Sequence, residues 1–212
     1  MPQQDRAHAT RRMILSVAAE EFQRVGYFGT SIGTVLQRSG ITKGAFYFHF
    51  PSKEALVEEL VSAQDEIGHR VARQWMERGL DPLRTLMGMV DEMARRTASD
   101  TVVAAGVRLS AERGLLVPGA TTPYQTWERA FERLLTESQR LGLVRPEVDV
   151  RSGARLLNQA IIGARVMSLV TDQADYPMRV RGIWAFALPL VATPEWLSDW
   201  MAEQWETTDQ RG

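Results

Sequence analysis

The chain has 212 residues, a formal net charge of −1 and no cysteine. The last point excludes disulfide frameworks, thiolate metal sites and cysteine nucleophiles. His8, His49 and His69 lack metal-ligand spacing, and no Walker loop, G-x-S-x-G, G-x-G-x-x-G or H-E-x-x-H is present. An enzyme, a metal centre or a bound cofactor is therefore not expected. No apolar h-region follows the polar first residues, and no run approaches the roughly 18 apolar residues of a membrane span. The expectation is a soluble, cytoplasmic protein without a membrane partner.

The small total charge conceals a division. Residues 1–53 carry seven Lys and Arg against three Asp and Glu, a surplus of four, which leaves −5 for the remainder. Both lysines of the chain, Lys43 and Lys53, fall in the basic part. A basic head on an acidic body fits a polyanion-binding module joined to one that does not bind polyanions.

In chain order, Asp5–Val25 has Ile14, Leu15, Ala18, Ala19 and Phe22 at amphipathic helical spacing, and Gly26 closes it. Residues 31–39 read as a short helix with Ile32, Val35 and Leu36 on one face, capped by Thr30 or Ser31 and stopped by Gly40. A second short segment follows, residues 41–53, in which Phe46, Tyr47, Phe48, His49 and Phe50 are consecutive before Pro51. Helix, glycine turn, short helix is the arrangement that places its second helix in a DNA major groove. Phe22, Tyr27, Ile32, Leu36 and Phe46 are the expected core of a three-helix head, with Phe48 and Phe50 mostly core as well. Ser52 is placed to cap a long helix from Lys53 to about Arg78, so the head is assigned to residues 1–51 and the body to 52–212.

Asp81-Pro82 opens a helix to about Thr97, and another spans Thr101 to Glu112. The apolar stretch 114–120 contains three helix breakers and is expected to pack down as a cover. Thr122-Pro123 starts a helix that Gly142 ends; Asp149 caps one extending to about Thr171; Tyr176–Val191 and Thr193–Trp205 complete the set. No alternating strand pattern occurs. The fold class is all-α: an N-terminal three-helix head with a helix-turn-helix, plus a larger helical-bundle body. Gly163 and Gly182, with Ala160, Ala164 and Ala185 nearby, permit close helix approach, either between two copies or within one. A homodimer is expected, because helix-turn-helix heads read half-sites about 34 Å apart.

Side-chain chemistry divides the work of the head. Thr42, Tyr47 and Lys53 suit phosphate oxygens. Lys43 reaches guanine N7 and O6. Gly44 lets the helix backbone approach the groove, and His49 is either a phosphate contact or a structural residue. Thr30, Ser31 and Ala45 complete the candidate DNA-binding set.

Residues 10–57 resemble the DNA-binding end of the TetR family of bacterial repressors. The likeness lies in Arg12, residues 14–22, Gly26-Tyr27, Thr30, Gly40 and above all the run from Thr42 to Leu56. The body resembles one branch, the γ-butyrolactone receptors of actinomycetes, in residues 42–50, 105–110 and 123–127. That resemblance implies a dimeric repressor released from double-stranded operator DNA by a small amphiphilic effector of γ-butyrolactone, butenolide or furan type. It implies control of antibiotic or other secondary-metabolite genes. It further implies that Trp127 lines the effector pocket and that Gln64 hydrogen-bonds the ligand. Met89, Val107, Phe131 and Ile162 are candidates for an apolar wall, and Ala160 stands where the branch often has a polar residue. The alternative is a TetR-type regulator without a butyrolactone effector, such as a drug-sensing efflux repressor or a pseudo-receptor.

Overall fold

Local signals place the helices where the periodicity puts them. The computed structural model describes residues 3–116 and 123–209. Its helices are α1 (Gln3–Gly29), α2 (Ile32–Ser39), α3 (Lys43–His49), α4 (Lys53–Met76), α5 (Pro82–Ser99), α6 (Thr101–Leu116), α7 (Pro123–Arg140), α8 (Val150–Val170), α9 (Tyr176–Val191) and α10 (Pro194–Asp209). A 3-10 turn, Gln173–Asp175, precedes α9. Among the described residues there is no strand, only an isolated antiparallel bridge between Val144 and Ala192. No helix of these residues is long and apolar enough to cross a membrane.

Four expected start signals, Ser31, Ser52, Asp81 and Asp149, act as caps, and Thr122 lies outside the described residues. Ser31 rather than Thr30 caps α2, accepting the Thr34 N–H at 3.0 Å. Thr42 caps α3, Ser52 α4, Asp81 α5 and Asp149 α8, each accepting a backbone N–H from two or three residues ahead. Asp100 does the same for α6. Gly40 ends α2 in the left-handed conformation, φ 66°. Within α1 the helix breaks at Gly26, where φ is 73° and ψ −173°.

The chain forms two compact units. The first comprises residues 1–71 and 96–123, and so takes in α6 as well as the head. Its core joins Ile14, Ala18 and Phe22 of α1 to Val35, Phe46, Leu56, Leu60, Ala105 and Leu109. The second comprises residues 72–95 and 124–212. Its core includes Leu86, Met89, Phe131, Tyr176, Trp184, Leu188 and Trp196. The indole N–H groups of its two buried tryptophans are satisfied: Trp184 donates to Asp91 at 3.0 Å and Trp196 to Asp81 at 3.2 Å. Of the stretch 114–120, Gly114–Leu116 are the last residues of α6, and 117–120 lie outside the described residues.

Candidate nucleic-acid interface and effector residues

The outward arc of α3 is small and mixed. At about 100° per residue, Lys43, Tyr47, Gly44 and Phe48 follow one another around the helix, and all four are exposed. Phe46 is fully buried on the other side, and the buried Phe50 lies 6.1 Å from it, centroid to centroid. Ala45 and His49 are half-buried between these sides, and the His49 ring meets Phe48 edge-on at 5.0 Å. Phe48 is 80% exposed, which corrects its assignment to the core. The reason is geometric. In a seven-residue helix the inward side is filled by Phe46 and Phe50, one turn apart, and Phe48 stands about 200° around from each.

Thr42 and Ser31 are exposed at the two helix starts. Thr30 is buried instead, and its hydroxyl donates inward to the Gly26 carbonyl at 2.8 Å.

Four of the seven cations of residues 1–53 have partners within the chain. Arg11 pairs with Glu59 of α4. Arg38 pairs with Glu20 at 2.7 Å and with the buried Glu21, which also accepts from Arg24 at 2.8 Å. Burial would raise the Glu21 carboxyl, but the hydrogen bonds from Arg24 and Arg38 prevail and hold it below the ordinary range. Lys53 donates to the Tyr27 carbonyl and lies 3.9 Å from the centre of that ring, and burial lowers its pKa. Lys43 has no acidic partner among the described residues; its Nζ lies 6.0 Å from the Tyr47 ring centre. It is therefore the cation of the outward arc that remains available to a polyanion.

The effector candidates divide between the units. In the first, Gln64 of α4 is 3% exposed, and its Oε1 has no hydrogen-bond partner among the described residues. Gly106 of α6 presses against it, so closely that a Cβ there would collide with Gln64 Cβ and the Leu60 carbonyl. Val107 is half-buried. Ser110, not singled out from the sequence, has a buried hydroxyl that also lacks a partner among these residues. Ser138 and Ser168, in contrast, each donate to the carbonyl four residues back at 2.8 Å. In the second unit, Met89 and Phe131 are core residues. Trp127 is half-buried against that core, edge-to-face with Phe131 at 5.9 Å. Ile162 is half-buried, and it is its neighbour Ile161 that packs on the cluster.

Periodicity did not mark Arg165 as interior, since an arginine on an amphipathic helix reads as surface; it is buried in α8, 5.7 Å from the Tyr176 ring centre. Burial pushes the Tyr176 hydroxyl up, and Arg165 opposes that shift.

The exposed sides of α8 and α9 each carry an apolar stripe beside arginines such as Arg155 and Arg181. Leu156, Ala160, Gly163, Val166, Met167 and Val170 form a stripe on α8, and Met178, Gly182, Ala185, Phe186 and Leu190 form one on α9. Phe186 is 76% exposed. A Cβ at Gly163 or Gly182 would meet nothing within 4 Å, so packing inside the chain does not account for these glycines.

Residues 14–60 match the family of bacterial regulatory proteins of the tetR type. Residues 80–191 match the tetracyclin repressor-like C-terminal domain. The chain belongs to the TetR family. The A-factor receptor protein of Streptomyces griseus is 32% identical over 195 residues, which are 92% of this chain and 68% of that protein. Among solved structures, CprB from S. coelicolor A3(2) superposes with a TM-score of 0.82 at 29% identity, over 93% of this chain and 95% of that one. CprB in complex with its biological operator sequence superposes with a TM-score of 0.78 at 31% identity, over 90% and 92%. A γ-butyrolactone receptor described as ArpA-like gives 0.79 at 30% identity, also over 90% and 92%. This TetR protein is thus a transcriptional regulator closely related to the γ-butyrolactone receptors, and its relatives are regulators rather than enzymes.

Proposed function

We propose that this TetR regulator is a cytoplasmic repressor that binds operator DNA as a homodimer. A small amphiphilic lactone-type signal (γ-butyrolactone, butenolide or furan) releases it, derepressing antibiotic or other secondary-metabolite genes. The observation that carries the DNA half is the arc of Lys43, Gly44, Tyr47 and Phe48, outward-facing and holding a cation without an acidic partner. Lys43 is suited to guanine N7 and O6, and Phe48 to a thymine methyl. Tyr47, Thr42 and Ser31 offer hydroxyls to phosphates. The apolar stripes of α8 and α9 support the homodimer, since contiguous exposed apolar surface marks interaction faces.

For the effector half, the support is the buried Gln64 amide with its unpartnered oxygen. A buried polar group without a partner is costly, and a ligand that supplies one gains affinity for that reason. Release of DNA requires that the signal bind the DNA-incompetent form more tightly than the competent one.

The test uses a duplex enriched by the wild-type protein from a random-sequence pool. Lys43→Ala lowers affinity for it by about 1–3 kcal/mol and relaxes selectivity; unchanged affinity and selectivity sink the DNA assignment. A thermal-shift series of butyrolactones, butenolides and furans addresses the effector, because a ligand of the folded state raises its melting point. If none of them shifts melting or frees the duplex, the drug-sensing or pseudo-receptor alternative stands.

A further inference from the structure

The end of α1 is completed by a different helix. Gly26 adopts a conformation that only glycine takes without strain, and α1 breaks there. A helix end leaves its last carbonyls without N–H partners and the next N–H outside the ladder. Arg108 of α6 donates from Nη1 to the Gln23 carbonyl at 2.8 Å and the Arg24 carbonyl at 3.1 Å. Glu112, one turn further along α6, accepts the Tyr27 N–H at 2.6 Å. Its other oxygen accepts from Arg108 Nε at 3.0 Å. The pair presents a donor and an acceptor in the order that the broken end requires.

An i,i+4 ion pair alone contributes little. Here both partners also hold backbone groups of another helix, which fixes where α6 must lie. The fit is close: a Cβ at residue 26 would collide with Glu112 Oε1 and come within 2.9 Å of Arg108 Nη2. Tyr27 extends the junction to α4. Its hydroxyl donates to Glu54 at 2.7 Å, and its carbonyl accepts from Lys53. One residue therefore joins the end of α1, the start of α4 and the second half of α6, four positions before the cap of α2.

We propose that Arg108 and Glu112 are positioning residues for DNA binding, a latch by which the place of α6 sets the pose of α2 and α3. The inference rests on the DNA-binding reading above and adds a route to it. Gly106, half a turn before Arg108, lies against Gln64 and Leu60, so α6 cannot shift without disturbing that buried amide. Ser110, between the two latch residues, buries a second unpartnered polar atom. A ligand whose hydroxyl donates to Gln64 Oε1, or whose carbonyl accepts from the Ser110 hydroxyl, and which moves α6 about 1 Å in doing so, stretches the latch bonds past hydrogen-bonding length.

The test uses the full chain and the same enriched duplex. Arg108→Leu and Glu112→Leu lower affinity for the duplex roughly 5- to 150-fold, the span of a typical coupling between sites. In the free protein they speed amide exchange at Tyr27 and across residues 30–50, and leave α8 and α9 unchanged. Arg108→Lys keeps a donor and Glu112→Gln an acceptor; both show the same pattern, weaker. These conservative variants carry the test if the leucine variants do not fold. Wild-type affinity and exchange in the variants that fold overturn the latch. So does exchange that rises equally in α8 and α9, which reports general destabilisation. A wild-type chain that enriches no duplex contradicts the DNA reading instead, and the exchange comparison then decides the latch by itself.

Discussion

In the first unit charged side chains join the short helices of the head to their neighbours; in the second the longer helices meet over a core that includes Trp184 and Trp196, with Arg84–Glu203 and Arg151–Glu132 crossing between them. In the first, Arg11–Glu59 ties α1 to α4, Arg38 ties α2 to Glu20 and Glu21 of α1, and Arg108 with Glu112 ties α6 to the end of α1. In the second, the core runs from Leu86 through Phe131 and Trp184 to Trp196, with aspartates receiving the two indole N–H groups. Burial is non-directional: it decides that a helix packs, and tolerates rotation. Hydrogen bonds weaken steeply with angle and so decide orientation. The seven-residue α3 has one fully enclosed side chain of its own, Phe46, and its pose depends on its neighbours. The stripes of α8 and α9 need no such aim.

Three substitutions sharpen or break this contrast. The largest effect is expected at Gly26→Ala. The backbone conformation alone costs about 1–3 kcal/mol in a residue with a side chain, and the new methyl displaces Glu112 besides. Thermal denaturation should show the loss, with operator binding falling further than stability explains; an unaffected chain would mean that the polar junction does not organise the first unit. Gly163→Ala should act in the opposite direction. With nothing within 4 Å of the added carbon, helix propensity favours alanine by about 1 kcal/mol. Sedimentation should at the same time show weaker self-association, because a methyl is added to a close-approach face. A stabilised chain with unchanged association would remove the α8 stripe from the dimer contact.

The smallest effect belongs to Asp91→Asn. Burial raises the Asp91 carboxyl, opposed by the Trp184 hydrogen bond and by Arg95 and Arg181. The folded form thus keeps its proton to higher pH than the unfolded form does. Stability should fall as pH rises from the ordinary aspartate value of about 3.9 through the raised one. Asparagine preserves an acceptor for Trp184 and removes that slope. Melting temperatures measured across this range give the comparison, and an unchanged slope would assign it to another group.

Legibility followed the range of each interaction. Ser31, Thr42, Ser52, Asp81 and Asp149 each cap a helix through an N–H within three residues, and Gly40 stops α2 by its own φ. Such signals are written in adjacent residues, so the helical chain, the helix-turn-helix and the outward Lys43 and Tyr47 could be read without coordinates. Charge was read correctly as a sum but not as a distribution: the surplus of the head says nothing about Arg11 meeting Glu59, or about Lys53 turning to Tyr27. Phe48 was misplaced because aromatic density describes a segment, whereas burial depends on which arc the neighbouring helices cover.

By itself, then, the order of residues determined the helices, their caps and the chemistry of the probe after Gly40. Only the tertiary structure decided that Gln64 is buried with its oxygen unpartnered, and that a glutamate 85 residues from Tyr27 completes the end of α1. The reason is physical. A cap is a bond across one turn, while a partner for a buried amide or a broken helix end is chosen by whichever distant helix the core brings against it.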